Sequence, residues 1–217
     1  MKRKLIPVAA LAALALPTAV CAAEEGNWLV RARAVYLDPA NKSEAGSGAL
    51  DPTLLPGDAI RVNSKTLPEV DISYFFTKNL AAELILTYPQ KQKVSIASGP
   101  LQESIGSFKH LPPTLTLQYH FLPEGQFRPY VGAGVNYTRL SSVRLRSSVA
   151  GVGLDLERDS WGGALQAGLD VKLGQNLYLN FDIKKVFIDA DLRLDGAKVS
   201  KVKVDPLLVG VGLGWRF

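Results

Sequence analysis

The sequence predicts an all-β fold: an eight-stranded antiparallel up-and-down barrel that crosses a membrane with its strands. Three observations predict it. The first is residues 207–217. Leu207, Val209, Val211, Leu213, Trp215 and Phe217 form one period-two set; Leu208, Gly210, Gly212, Gly214 and Arg216 form the other. Alternate residues of a strand face opposite sides. One side here is apolar and ends in aromatics, and the other is small or polar, which fits lipid outside and a narrow lumen inside. The second observation is that eight such segments are joined by four long and three short connections in strict alternation. Outer-membrane barrels place long loops outside and short turns in the periplasm. The third is that aromatics fall in two bands. Trp28, Phe76, Phe121, Trp215 and Phe217 lie at the short-turn end, and Tyr36, Tyr88, Tyr137 and Trp161 lie about one crossing away. A soluble lipocalin-like barrel would turn its apolar face inward and leave these rings in water.

The chain opens with Lys2-Arg3-Lys4, an apolar run from Leu5 to Val20, and Cys21-Ala22-Ala23 before Glu24. This is a secretory signal peptide over residues 1–23, with the barrel in 24–217. Cleavage removes the only cysteine and three of the 25 basic residues, leaving 22 against 20 acidic ones. A mature charge of only +2 removes the case for nucleic-acid binding, and the mature chain has no thiol chemistry. No later run reaches the length of a membrane helix.

The strands follow in order. Residues 27–38 place Leu29, Arg31, Arg33, Val35 and Leu37 on the inward face. A Pro/Gly/Ser-rich loop, residues 39–59, is apolar for a loop (Leu50, Leu54, Leu55). Residues 60–76 form the second strand and a tight turn leads to the third, with Glu83, Ile85 and Thr87 inward. Residues 89–109 read as a loop. The fourth strand alternates Leu115, Leu117, Tyr119 and Phe121 with Thr116, Gln118 and His120. The fifth alternates Val131, Ala133, Val135 and Tyr137 with Gly132, Gly134 and Asn136, and a loop spans 141–158. The sixth carries Gln166, Asp170 and Lys172 inward, and the seventh Asn180, Asp182 and Lys184. Lys184-Lys185 interrupts the alternation and marks a bulge. Residues 191–200 read as the last long loop.

Several blocks resemble the OmpW family of small outer-membrane barrels. They include Asn79-Leu80-Ala81-Ala82-Glu83-Leu84, His110-Leu111-Pro112-Pro113-Thr114-Leu115 and Phe127-Arg128-Pro129-Tyr130-Val131-Gly132-Ala133-Gly134. Asp159-Ser160-Trp161-Gly162, Ile188-Asp189-Ala190-Asp191 and Asp205-Pro206 follow in the same order. The resemblance covers the mature chain. It implies an outer-membrane location, a narrow and partly hydrophobic lumen, and uptake of small hydrophobic molecules, alkane-type substrates in one branch. The loops and Lys184-Lys185 depart from it.

The inward residues sort by height. Arg31, Arg33, Asp71, Glu83, His120, Asp170, Lys172, Asp182, Lys184 and Arg216 lie low and read as a salt-bridged plug, because buried charges must be paired. Val35, Leu37, Ile85, Thr87 and Leu208 lie above them and line an apolar path. A hydrophobic ligand entering from outside meets a charged floor and needs a sideways exit. Proline donates no ladder hydrogen bond. Pro68, Pro89, Pro112 and Pro113 lie at one level on three neighbouring strands, so either a lateral opening into the bilayer lies there or the strands simply end there. The expected partners are membrane lipid and a small hydrophobic ligand, with no nucleic acid. No nucleophile motif or metal-ligand spacing surrounds His110 or His120, so neither catalysis nor a metal nor another cofactor is expected. The alternative to a conduit is a structural or interaction barrel whose long loops bind a partner or stabilise the envelope.

Overall fold

The computed structural model describes residues 26–48, 50–147, 152–194 and 196–217, so the signal peptide assigned to 1–23 lies outside the described residues. The strands in chain order are β1 (Trp28–Asp38), β2 (Lys42–Ser43), β3 (Ile60–Val62), β4 (Lys65–Phe75), β5 (Leu80–Leu86), β6 (Gln90–Ile96), β7 (Glu103–Leu111) and β8 (Thr114–His120). They continue as β9 (Phe127–Ser147), β10 (Val152–Leu156), β11 (Asp159–Lys172), β12 (Leu177–Val186), β13 (Asp189–Leu194), β14 (Ala197–Lys203) and β15 (Leu207–Arg216).

Eight of these close a ring in the order β1, β4, β5, β8, β9, β11, β12, β15, with β15 returning to β1. Every pairing is antiparallel. The alternation in the sequence is the cause: Leu207, Val209, Val211, Leu213 and Trp215 are exposed, and Leu208, Gly210 and Arg216 are buried. The inward glycines make room. A Cβ on Gly212 would fall 2.1 Å from the Ala32 carbonyl oxygen. The two aromatic bands lie on the outer wall, with Trp28, Phe76, Trp215 and Phe217 exposed at one end and Tyr36, Tyr88 and Trp161 at the other.

Above the upper aromatic band the wall continues, and here the structure corrects the loops read from sequence. Residues 90–96 and 103–111 are strands, and β9 runs unbroken through 21 residues. The second strand is broken between Val62 and Lys65. A second ring runs β3, β6, β7, β9, β10, β13, β14, β2, outside the membrane. β2 and β3 meet through side chains, the Ile60 amide donating to Ser43 Oγ and the Val62 amide to Asn41 Oδ1. Alternation in these segments is carried by Lys and Ser outside and by Val, Ile and Phe together with the buried Gln90, Gln92 and His110 inside, which resembles a loop in overall polarity.

The bulge expected at Lys184-Lys185 is not there. Register runs without a shift, Gln166 opposite Lys184 and Leu165 opposite Lys185, because Lys184 points inward and Lys185 outward like any strand pair. Register shifts occur instead at Val94/Ser95 opposite Gly106, between Ser107 and Lys109 where β7 meets β9, and between Leu192 and Arg193. Gly106 has φ +139, and a Cβ there would fall 1.9 Å from the Arg144 carbonyl oxygen.

A capping segment, residues 39–48 and 50–59, crosses the mouth of the upper ring. Ser47 donates its backbone N–H to Val199 and Glu44 to Lys201. This hangs Leu50, Leu55 and Ala59 inside, where each is at most 3 % exposed.

Candidate functional site

Arg31 and Arg33 on β1 stand at the centre of the lower lumen, both within 3 % of full burial. The Arg31 guanidinium forks onto Asp170, with Nε at 3.1 Å and Nη2 at 2.6 Å from its two oxygens. Its Nη1 reaches Glu83 and Ser73, each at 2.9 Å. Arg33 contacts Asp71, and lies 3.2 Å from Asp182 and 3.3 Å from Glu69. Lys184 reaches Glu69 at 3.0 Å. Neutral groups complete the set. Gln118 and Gln166 donate to Glu83 at 2.7 and 2.9 Å, and Tyr130 donates to Asp182 at 2.8 Å. Charges taken out of water are tolerable only when paired and hydrogen-bonded in this way.

The structure thus brings together seven of the ten residues assigned to the plug: Arg31, Arg33, Asp71, Glu83, Asp170, Asp182 and Lys184. Arg216 lies lower, its guanidinium 4.0 Å above the Phe75 ring while Nε donates to the Gly26 carbonyl. His120 lies beside it as an aromatic layer, stacked on Tyr130 with ring centres 4.9 Å apart and meeting Gln118 at 3.1 Å. Lys172 is half-buried at the periplasmic end of β11. Glu69 and Tyr130 were not among the residues singled out. Glu69 shares the inward parity of Asp71 and Ser73, so alternation alone could have found it. Tyr130 was hidden in an Arg-Pro-Tyr-Val block whose burial depends on Gly168 opposite, where a Cβ would lie 2.3 Å from the tyrosine ring.

Among the described residues, two small cavities lie above the plug. The lower, about 30 Å³, has Leu37, Ile85, Thr87 and Leu208 in its wall, with Glu69 and Lys184 beneath. These are four of the five residues assigned to an apolar path; Val35 is buried on the same face of β1. The upper, about 20 Å³, is walled by Ile60, Val94, Phe108 and Leu140 of the extracellular ring. His110 and Ile188 line both and form the neck between them. Each cavity has room for a water molecule or two. Among the described residues, the interior above the plug is thus largely filled by side chains. Burial and the nearby Lys65 ammonium push the His110 imidazole down to about 4, so it is neutral at pH 7.

The prolines lie where the two rings join. Pairing of β4 with β5 stops at Val70–Leu86, and β3 takes up β6 only at Val62–Val94. Pairing of β5 with β8 stops at Ile85–Thr114, and β6 takes up β7 at Gln90–His110. Residues 87–89 thus lie between two interrupted ladders. Thr87 Oγ1 donates across the first to the Pro68 carbonyl at 3.0 Å. Pro68 and Pro89 are exposed. Pro112 and Pro113 are half-buried; the Asn136 side-chain amide lies within 3.4 Å of both carbonyls, and Pro112 also borders the lower cavity.

A closed eight-stranded ring with lipid-facing apolar residues, two aromatic bands and a charge-filled lumen defines a small outer-membrane β-barrel protein. Residues 24–217 match the OmpW family, and the chain belongs to it. Its relatives include uncharacterized outer-membrane protein y4mB of Sinorhizobium fredii, 42 % identical over 75 % of this chain and 71 % of that one. Outer membrane protein W of Vibrio cholerae is 33 % identical over the full length of both. Dibenzothiophene metabolism operon protein PahQ of Pseudomonas aeruginosa is 28 % identical, also over the full length of both. Among solved structures, the crystal structure of outer membrane protein OprG from Pseudomonas aeruginosa superposes with a TM-score of 0.76 at 27 % identity, covering 89 % of this chain and 97 % of that one. The protein resides in the outer membrane.

Proposed function

We propose that the barrel admits small hydrophobic molecules passively and without catalysis, taking them from the extracellular well and releasing them sideways into the bilayer. The observation that carries this reading is the placement of the lower cavity. It rests on Glu69 and Lys184, which bar an apolar solute from going further down, and it borders Pro112 at the interrupted ladders. An uncharged apolar molecule gains nothing by entering a network of paired charges and loses burial there. The wall beside Thr87 is held by fewer backbone hydrogen bonds than the ladders above and below it, so opening there costs less. The name of the dibenzothiophene operon relative fits an apolar cargo, as does the resemblance drawn from the sequence.

The test is uptake of a medium-chain alkane by cells lacking the gene, restored with the wild type or with Pro112→Ala/Pro113→Ala. The wild type speeds entry without changing entry of a small sugar, and the double alanine variant, given back two ladder donors, slows alkane entry several-fold while still folding. Equal uptake by the folded variant removes the lateral route. No protein-dependent uptake of any apolar probe favours instead a structural or interaction barrel acting through its extracellular ring.

A further inference from the structure

The outer surface of the extracellular ring is electrically lopsided. On one side, β6, β7 and the adjoining part of β9 expose Lys91, Lys93, Lys109, Arg139 and Arg144. β6 and β9 contain no acidic residue, and β7 contains only Glu103, at its far end. None of these five cations is ion-paired among the described residues. On the other side, two cations of the β13–β14 hairpin are ion-paired, Lys198 meeting Asp191 at 2.9 Å and Lys201 meeting Asp189 at 2.5 Å.

Apart from Arg139, which lies across the β9–β11 ladder from Asp159, these cations are also badly placed for the protein alone. Lys91 and Lys109 are directly opposite in the β6–β7 ladder, and Ser107 of β7 pairs with Lys93 on one side and Arg144 on the other, so these two cations flank a single residue. Like charges directly across a strand pair repel and destabilise it. The arrangement makes sense if an anion lies between them.

Their height says which anion. Lys91 lies three residues beyond Tyr88, and Arg139 lies two beyond Tyr137, both tyrosines belonging to the upper aromatic band. At about 3.3 Å per residue this is roughly 7–10 Å along the strand, above the band that marks the membrane interface; Lys93 and Arg144, five and seven residues beyond the same tyrosines, lie higher, at roughly 17–23 Å. The five side chains leave the wall sideways, toward whatever stands next to the barrel in the outer leaflet. We infer that this face binds the phosphate groups of outer-leaflet lipid, the lysines and arginines bridging two or more phosphates on a neighbouring lipid molecule. Arginine matches phosphate with its planar fork and lysine supplies point charge. This site is separate from the lumen and does not depend on what the barrel transports.

The experiment uses the mature protein in neutral-detergent micelles with lipid A carrying its phosphates, or the same lipid A dephosphorylated. Bound lipid is measured after gel filtration. Phosphorylated lipid is retained more strongly, and Lys91→Gln, Lys93→Gln and Lys109→Gln each weaken retention about fivefold. Lys198→Gln and Lys201→Gln, on the ion-paired side, leave it unchanged. Arg139→Gln serves as a further single variant if a lysine change prevents folding. Equal retention of both lipids overturns the inference, because acyl chains alone would then account for binding. So does an equal loss from the Lys198 and Lys201 variants, because overall charge would then be the cause. A soluble acidic polysaccharide that binds as tightly as the phosphorylated lipid would move the site from lipid to an extracellular polyanion.

Discussion

Arg31 is the side chain on which most of the lumen depends. It is fully buried and bonded to two carboxylates and a hydroxyl. Replacing it with methionine keeps the volume but leaves Glu83 and Asp170 facing each other without their cation. Breaking a buried pair from one side costs about 3–5 kcal/mol. Urea unfolding in lipid should report a loss of that size for Arg31→Met and a smaller one for Arg31→Lys, which restores charge without the fork onto Asp170. His110 provides a pH signature at the neck of the well. Its proton leaves at about 4 in the folded protein and near 6.5 in a free chain. The unfolded state therefore holds more proton between those values, and stability falls as pH drops from about 6.5 to about 4 and is flat above. The full effect approaches about 3 kcal/mol. His110→Phe should flatten that limb of the stability curve; an unchanged limb would assign it to other groups.

Among the elements, β9 and β11 show how glycine positions the floor. Gly168 pairs with Tyr130, and a Cβ there would lie 2.3 Å from the ring. Tyr130 cannot easily retreat, since it donates to Asp182 and stacks on His120. Gly168→Val should cost about 1–3 kcal/mol by overpacking, read as a lowered midpoint of thermal unfolding. The same two strands show what alternation in a sequence does and does not reveal. Val131, Val135, Leu165 and Leu169 alternate cleanly because lipid faces them, so the lower ring was legible almost strand for strand. Residues 90–96 and 103–111 alternate too, but Lys and Ser on the outer face gave them the polarity of a loop. Water, unlike lipid, imposes no apolar outer face, so strands continuing above the membrane lose the signal that marks those within it.

The whole molecule consists of two stacked rings with different solvents outside and one continuous interior. The charged floor was legible because parity in a barrel fixes which residues meet, even across distant strands. Arg31 and Asp170 were both placed inward without knowledge of the fork between them. What parity could not supply was the stagger between neighbouring strands that sets height along the barrel axis, so Arg216 and Lys172 were grouped with charges they lie below. Nor could it reveal that the mouth is filled by Leu50, Leu55 and Ala59 from the capping segment.

The length of β9 has a consequence for what surrounds the cell. Its 21 residues are about twice what a crossing needs, so roughly half of the wall stands in the hydrated sugar coat outside the bilayer. Sugars offer an apolar solute no shelter from water, and the coat is an obstacle to it for that reason. Inside the wall, Ile60, Val94, Phe108 and Leu140 carry an oily lining up through that same layer. On the proposed route, a greasy molecule would pass through the coat without dissolving in it, as along a wick.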